Sequence, residues 1–138
     1  MGDDAEIRSL LARLAQLTDD GTVEDYLGLF APDAVWEMPA NPAVGVPADR
    51  RAGVAEVEAG VRGRRAAGVQ GPGSATRHVV TTIAVDLRGG DRATSVAYWM
   101  FLADTTGTPR VVSAGRYDDE LRRIDGRWLL GHRRITVG

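Results

Sequence analysis

From residue 76 to residue 137 the sequence consists of four long strand-like runs separated only by short turns, and this half constrains the fold of the whole chain. The first run, 76–87, ends at Arg88-Gly89-Gly90-Asp91. The second, 92–104, ends at Thr105-Thr106-Gly107-Thr108-Pro109. The third, 110–123, meets the last, 127–137, across Asp125-Gly126, a dipeptide that tolerates the positive φ angles of a two-residue hairpin. Long strands joined by such short turns predict an antiparallel meander. The second run is apolar on both faces, with Ala97, Trp99 and Phe101 on one and Val96, Tyr98, Met100 and Leu102 on the other. A sheet with one wet face alternates apolar and polar residues instead. The other face is therefore expected to pack on a second copy, and a two-fold homodimer is the commonest arrangement that does so.

The first half of the chain reads as helices. Ile7, Leu10, Leu11, Leu14 and Leu17 form one apolar stripe, predicting a helix over 3–18 that Asp3 or Asp4 caps and Gly21 ends. Thr22-Val23-Glu24-Asp25 resembles a capping box and opens a short second helix carrying Tyr26, Leu27 and Phe30. Pro32-Asp33 turns into a short strand, 34–38, ended by Pro39. Residues 39–51, rich in proline, alanine and glycine and without a period, read as a loop. A third helix is expected over 53–67, with Val54, Val57 and Val61 on one side, and residues 68–74 form a second glycine-rich loop.

Composition narrows the function. At 138 residues the chain is long enough for one domain with a real core and short for two. With no cysteine it has no disulfide, thiolate metal site or cysteine nucleophile. A net charge of −2 argues against a dedicated nucleic-acid binder, and no apolar run is long enough for a membrane span. The acidic start, Met1-Gly2-Asp3-Asp4-Ala5-Glu6, carries no apolar signal core, so a cytoplasmic protein is expected. Every one of the 17 basic residues is arginine, which removes Schiff-base lysine chemistry and lysine-bearing phosphate loops. The two histidines lack zinc-ligand spacing, so no metal and no cofactor is expected. Arg62, Arg64 and Arg65 read as a solvated helix end.

The residue that most invites a functional reading is His78, set in the strand Thr76-Arg77-His78-Val79-Val80. An imidazole among β-branched residues is either a hydrogen-bonded core residue or a base facing a pocket, work for which its pKa suits it. Asp19 ends the first helix, where its charge opposes the macrodipole, so local helix stability would not select it.

The order of elements resembles the nuclear-transport-factor-2-like α+β cone, and in particular its SnoaL-like branch of polyketide cyclases and small dehydratases. The local matches are Asp33-Ala34-Val35-Trp36, Thr76-Arg77-His78, Gly115-Arg116-Tyr117-Asp118-Asp119, Asp125-Gly126-Arg127-Trp128 and His132-Arg133-Arg134. The resemblance implies a single domain over 1–138, in which a curved antiparallel or mixed sheet wraps three N-terminal helices and encloses an apolar cavity. It further implies that His78 faces the cavity and pairs with Asp19. Leu14 stands where several dehydratase-like relatives have tyrosine, and the second long strand has Tyr98, Trp99, Met100 and Phe101 where some have a cavity aspartate. Arg133 matches a recurrent arginine of the last strand, although a surface or interface ion pair is the plainer account of it.

Three functions follow as expectations. The first is a cofactor-free acid–base enzyme, a dehydratase, isomerase or cyclase, acting on a small apolar carbonyl-bearing metabolite with His78 as base and Asp19 orienting it. Its substrate-binding residues would be Leu14, Tyr26, Trp36, Met38, Val57, Trp99, Phe101, Tyr117 and Arg133. The second is a non-catalytic module binding a hydrophobic small molecule, and the third a partner subunit of the same fold.

Overall fold

The computed structural model of the chain describes residues 2–138; Met1, part of the acidic N-terminal stretch, lies outside them. Helix α1 spans Asp3–Asp20 and buries Ile7, Leu10, Leu11 and Leu14, the stripe read from the sequence. Its N-cap is Gly2 rather than Asp3 or Asp4, which fall inside the first turn. The Asp3 carboxylate is committed elsewhere, accepting from Trp128 Nε1 at 3.1 Å and Arg123 at 3.0 Å. Gly21 does end the helix, its N–H donating to Leu17 O, and a Cβ there would lie 2.6 Å from the Leu17 side chain.

Helix α2, Val23–Leu27, opens with Thr22 Oγ1 accepting the Asp25 N–H at 3.1 Å. It is shorter than expected, because Phe30 belongs to the next element, strand β1, Phe30–Met38. The stretch 39–51 is likewise not all loop. It contains a 3-10 turn at Pro42–Val44 and leads into strand β2, Asp49–Ala52, antiparallel to β1. Strand β2 lacks an apolar signature because it is an edge strand whose residues are largely charged. Helix α3, Val54–Ala66, packs Val57 and Val61 into the core.

The remaining strands are β3, Arg77–Gly89; β4, Arg92–Ala103; β5, Arg110–Ile124; and β6, Arg127–Val137. The sheet order is β2-β1-β6-β5-β4-β3, antiparallel throughout except that β1 runs parallel to β6. Asp125 and Gly126 both take positive φ, 51° and 76°, as the β5–β6 hairpin requires. The six strands form one curved, unclosed mixed sheet with the helices on its concave side.

A bulge in β3 sets which residues reach that concave side. Between Thr81 and Ala84 the register with β4 shifts, and Thr82 takes φ +54°, a left-handed conformation uncommon for a β-branched residue. Thr81 and Thr82 both end up exposed, which restores the inward parity so that His78, Val80, Ile83 and Val85 are all at least partly buried. Without the extra residue, Ile83 and Val85 would turn outward when His78 turns inward. Among the described residues no helix is long and apolar enough to cross a membrane.

Candidate active site

The floor of the cone is laid by β4 and β5. Trp99, Phe101 and Tyr117 form a second apolar cluster beside the main core, with Trp99 and Tyr117 stacked at a ring separation of 6.0 Å. The indole can lie flat here because Trp99 is paired with Gly115, where a Cβ would come within 2.7 Å of the Trp99 ring. Over this floor opens a cavity lined from the helices and the strands alike.

Most of the residues expected to bind substrate share that cavity. Leu14 and Tyr26 reach it from the helices, Trp36 and Met38 from β1, Trp99 and Phe101 from β4, and Tyr117 and Arg133 from β5 and β6. Val57 does not: it is 2 % exposed and sits in the core behind the cavity. The helical spacing that puts Val57 on the buried face of α3 could not say whether that face met packed side chains or open space.

His78 enters from β3 beside the floor, directly across the ladder from Phe101 of β4, with the two rings 4.8 Å apart. Its Nδ1 lies 2.8 Å from Asp19 Oδ1, and its backbone N–H donates to Asp19 Oδ2 at 3.0 Å. Asp19 is 3 % exposed. Strand β3 is an edge of the sheet, so its outward N–H groups have no strand to pair with. The end of α1 lies along this edge, and the Asp19 carboxylate ties the strand and the ring together. Asp20, one residue on, points away and pairs with Arg77 at 2.9 Å on the surface.

An aspartate at a helix C-terminus needs a counterweight, and Arg65 supplies it. Its guanidinium donates to the terminal carbonyls of α1 at Gly21 and Leu17, at 2.8 and 2.9 Å. Arg62, Arg64 and Arg65 are thus not a solvated helix end as a group. Only Arg62 is a surface residue, paired with Glu58 and Glu24. Arg64 turns into the cavity, its guanidinium 4.2 Å above the Trp36 ring. Burial pulls its pKa down, and Asp49 and the tyrosines offset this only in part.

Arg133 is not a surface or interface ion pair. It is buried and bonded through two nitrogens to Asp119, at 2.9 and 2.8 Å, with its guanidinium 3.8 Å above the Tyr117 ring. Burial disfavours its charge, but Asp119 outweighs this and holds its pKa above the ordinary arginine value. Burial pushes the Tyr117 hydroxyl up to about 12, so it stays a neutral hydrogen-bonding group. Asp119, carried by β5, is buried behind Arg133 rather than lining the cavity. Its alternation with Tyr117 in Tyr117-Asp118-Asp119 was the one available sign that both face inward.

Asn41 and Ser113 complete the rim, bonded to each other at 3.2 Å so that the loop after β1 is pinned to β5. Among the described residues, no group of three or more His, Cys, Asp or Glu side chains is arranged to hold a metal.

A curved sheet cupping three helices around an aromatic cavity, with a carboxylate-oriented histidine in its wall, defines the class as an NTF2-like α+β cone. The chain belongs to the SnoaL-like domain family, whose model matches residues 1–134. Among solved structures it is similar to an NTF2-like protein with a cystatin-like fold from Novosphingobium aromaticivorans, at 22 % identity and TM-score 0.81, over 98 % of this chain and 81 % of that one. A candidate scytalone dehydratase from the same organism matches at 15 % identity and TM-score 0.71, over 99 % and 84 % of the two chains. The beta subunit of a candidate aromatic-ring-hydroxylating dioxygenase, also from that organism, matches at 21 % identity and TM-score 0.74, over 96 % and 87 %. No curated protein sequence matches the chain. At these identities the structural likeness speaks to fold alone.

Proposed function

We propose that this chain is an acid–base enzyme that moves a proton at the carbon beside a carbonyl of a small, largely apolar molecule, as in dehydration, isomerisation or cyclisation. The observation that carries this reading is the Asp19–His78 pair in the cavity wall, 2.8 Å from oxygen to nitrogen. With Nδ1 spent on Asp19, Nε2 is the ring nitrogen without a partner among the described residues. In that arrangement Nδ1 carries the proton and Nε2 is the base. Nε2 takes the α-proton, Asp19 stabilises the imidazolium that forms, and the proton returns to a leaving hydroxyl or a neighbouring carbon. The neutral Tyr117 hydroxyl is a donor suited to the carbonyl oxygen as charge develops on it.

The test is exchange of the α-protons of a bicyclic ketone such as 2-tetralone in D₂O, followed by proton NMR. The chain should accelerate exchange, and His78→Ala should lose about 10²- to 10⁴-fold of that acceleration. Asp19→Asn, which keeps the hydrogen-bonding oxygen but not the charge, should lose less. Undiminished exchange in both variants would sink the mechanism.

The convex face leaves Tyr98 50 % and Val111 59 % exposed, beside the half-buried Val96, Met100 and Leu102. We propose that a second copy of the chain covers it. Sedimentation should then report a dimer that Tyr98→Arg converts to monomer; a monomeric parent chain would count for a non-catalytic partner subunit or for no assembly at all.

A further inference from the structure

Two arginines line the cavity, Arg133 buried and Arg64 with 11 % of its side chain exposed, and their electrostatic situations differ. Arg133 is matched by Asp119 through two hydrogen bonds. Arg64 makes no hydrogen bond among the described residues, and its Nε and Nη1 are buried without any acceptor. The nearest anion is Asp49, 3.8 Å from Arg64 Nη1, yet both Asp49 oxygens already accept from Arg51 Nε at 2.9 Å. Arg51 and Arg64 therefore share a single carboxylate, and one positive charge is left over. The other groups facing Arg64 are the hydroxyl-bearing rings of Tyr26 and Tyr117, neither of them a carboxylate.

The surroundings accommodate both cations rather than exclude one. Gly60, one turn earlier on α3, sits where a Cβ would come within 3.1 Å of Arg64 Nη1 and 3.2 Å of Arg51 Nε. Trp36 supplies an aromatic face to the guanidinium. An arginine retained in an apolar wall without a matching anion is a binding group for an anion that arrives with the ligand.

We infer that the molecule bound in this cavity carries a carboxylate on a flat apolar body, and that Arg64 is the residue that holds that carboxylate. The inference rests on reading the cavity as a small-molecule site, and adds to it a charge on the substrate and a residue with no part in the proton transfer. Trp36, Trp99 and Phe101 provide the flat apolar contact, while Arg64 fixes which end of the molecule faces which wall.

The test compares two probes of nearly equal shape, 2-naphthoate and 2-naphthamide, by isothermal titration calorimetry at neutral pH and fixed salt. The parent chain should bind the carboxylate about 10- to 100-fold more tightly, the range expected of a charge-assisted hydrogen bond. Arg64→Met should abolish that preference while changing naphthamide binding by no more than about threefold. Arg51→Met, which releases Asp49 to neutralise Arg64, should also erode the preference, and it reports on the same charge if Arg64→Met fails to fold. Arg62→Met on the helix surface should leave the preference intact. Equal binding of the two probes, or a preference that survives Arg64→Met, overturns the assignment of Arg64 while leaving the cavity as a small-molecule site. Binding of neither probe overturns both.

Discussion

His78 and His132 lie on opposite faces of one sheet, and each is bonded to a carboxylate: His78 to Asp19 at 2.8 Å, His132 to Glu37 at 2.5 Å. Their exposures are also similar, 15 % and 19 % of the side chain. What separates them is the second nitrogen. His132 has Glu120 3.4 Å from Nδ1, so both of its nitrogens face carboxylates and the ring ties β1, β5 and β6 together on the convex side. His78 keeps one nitrogen without a partner, in the wall of an aromatic cavity. Under the proposed function, a histidine–carboxylate pair serves as a strut where the far side of the ring meets another protein group and as a base where it meets a space that a substrate can enter.

The sharpest way to break this contrast is to remove each ring in turn. His78→Ala should lower proton exchange by about 10²- to 10⁴-fold, whereas His132→Ala should change it by less than about threefold. Comparable losses from both would mean that the cavity does not decide. The concave face should also be the less forgiving of broken charge pairs. Arg133→Met leaves Asp119 buried and unpaired, and should cost about 3–5 kcal/mol in chemical denaturation. Removing both partners together should cost less than the single change. On the convex face, Arg116→Met breaks only an exposed pair with Asp118 and should cost no more than about 1 kcal/mol.

A subtler change tests the cavity floor. Gly115→Ala drives a methyl group into the backbone carbonyl of Thr136 as well as against Trp99, and should cost at least about 3 kcal/mol, the upper end for an overpacked site, with altered tryptophan fluorescence as the local signature.

The smallest effects are in pH. Tyr117 is raised from 10.0 to about 12, so its contribution is intact below pH 10 and fades as pH rises towards 12; ultraviolet titration should show a phenolate, absent from Tyr117→Phe, with its midpoint above 10. Glu37 is held below its ordinary 4.5 by the hydrogen bond from His132, so its contribution is present above that value and lost as pH falls through the lowered one. NMR titration of the Glu37 carboxyl should give a midpoint below 4.5.

Much of the fold was readable because the strands are long and their turns carry their own chemistry, as at Asp125-Gly126. Strand β2 was not, because Asp49, Arg50 and Arg51 at a sheet edge have no reason to alternate apolar and polar. Nor was the start of β1, where Phe30 continues the apolar spacing of α2 while already paired with Leu130. The candidate site was legible where one residue announces itself, as with His78 among β-branched neighbours. It was hidden where position in space decides. Arg64 and Arg65 are neighbours in an arginine-rich helix, yet one lines the cavity and the other caps α1. Asp119 and Asp118 look alike in sequence, and only strand parity sends the first inward and the second to the surface.

The parallel pairing of β1 with β6 has a kinetic meaning. Trp36 lies beside Arg133 in that ladder, and the cavity takes wall residues from Leu14 through to Val137. Contacts so distant along the chain form slowly, since the intervening segment must be ordered before they are rewarded. During synthesis the helices and β1 emerge first, but the cup they help to close waits for the final strand. A chain that lacks β6 lacks Arg133, Ile135 and Val137, so the pocket is complete only once that strand has been made.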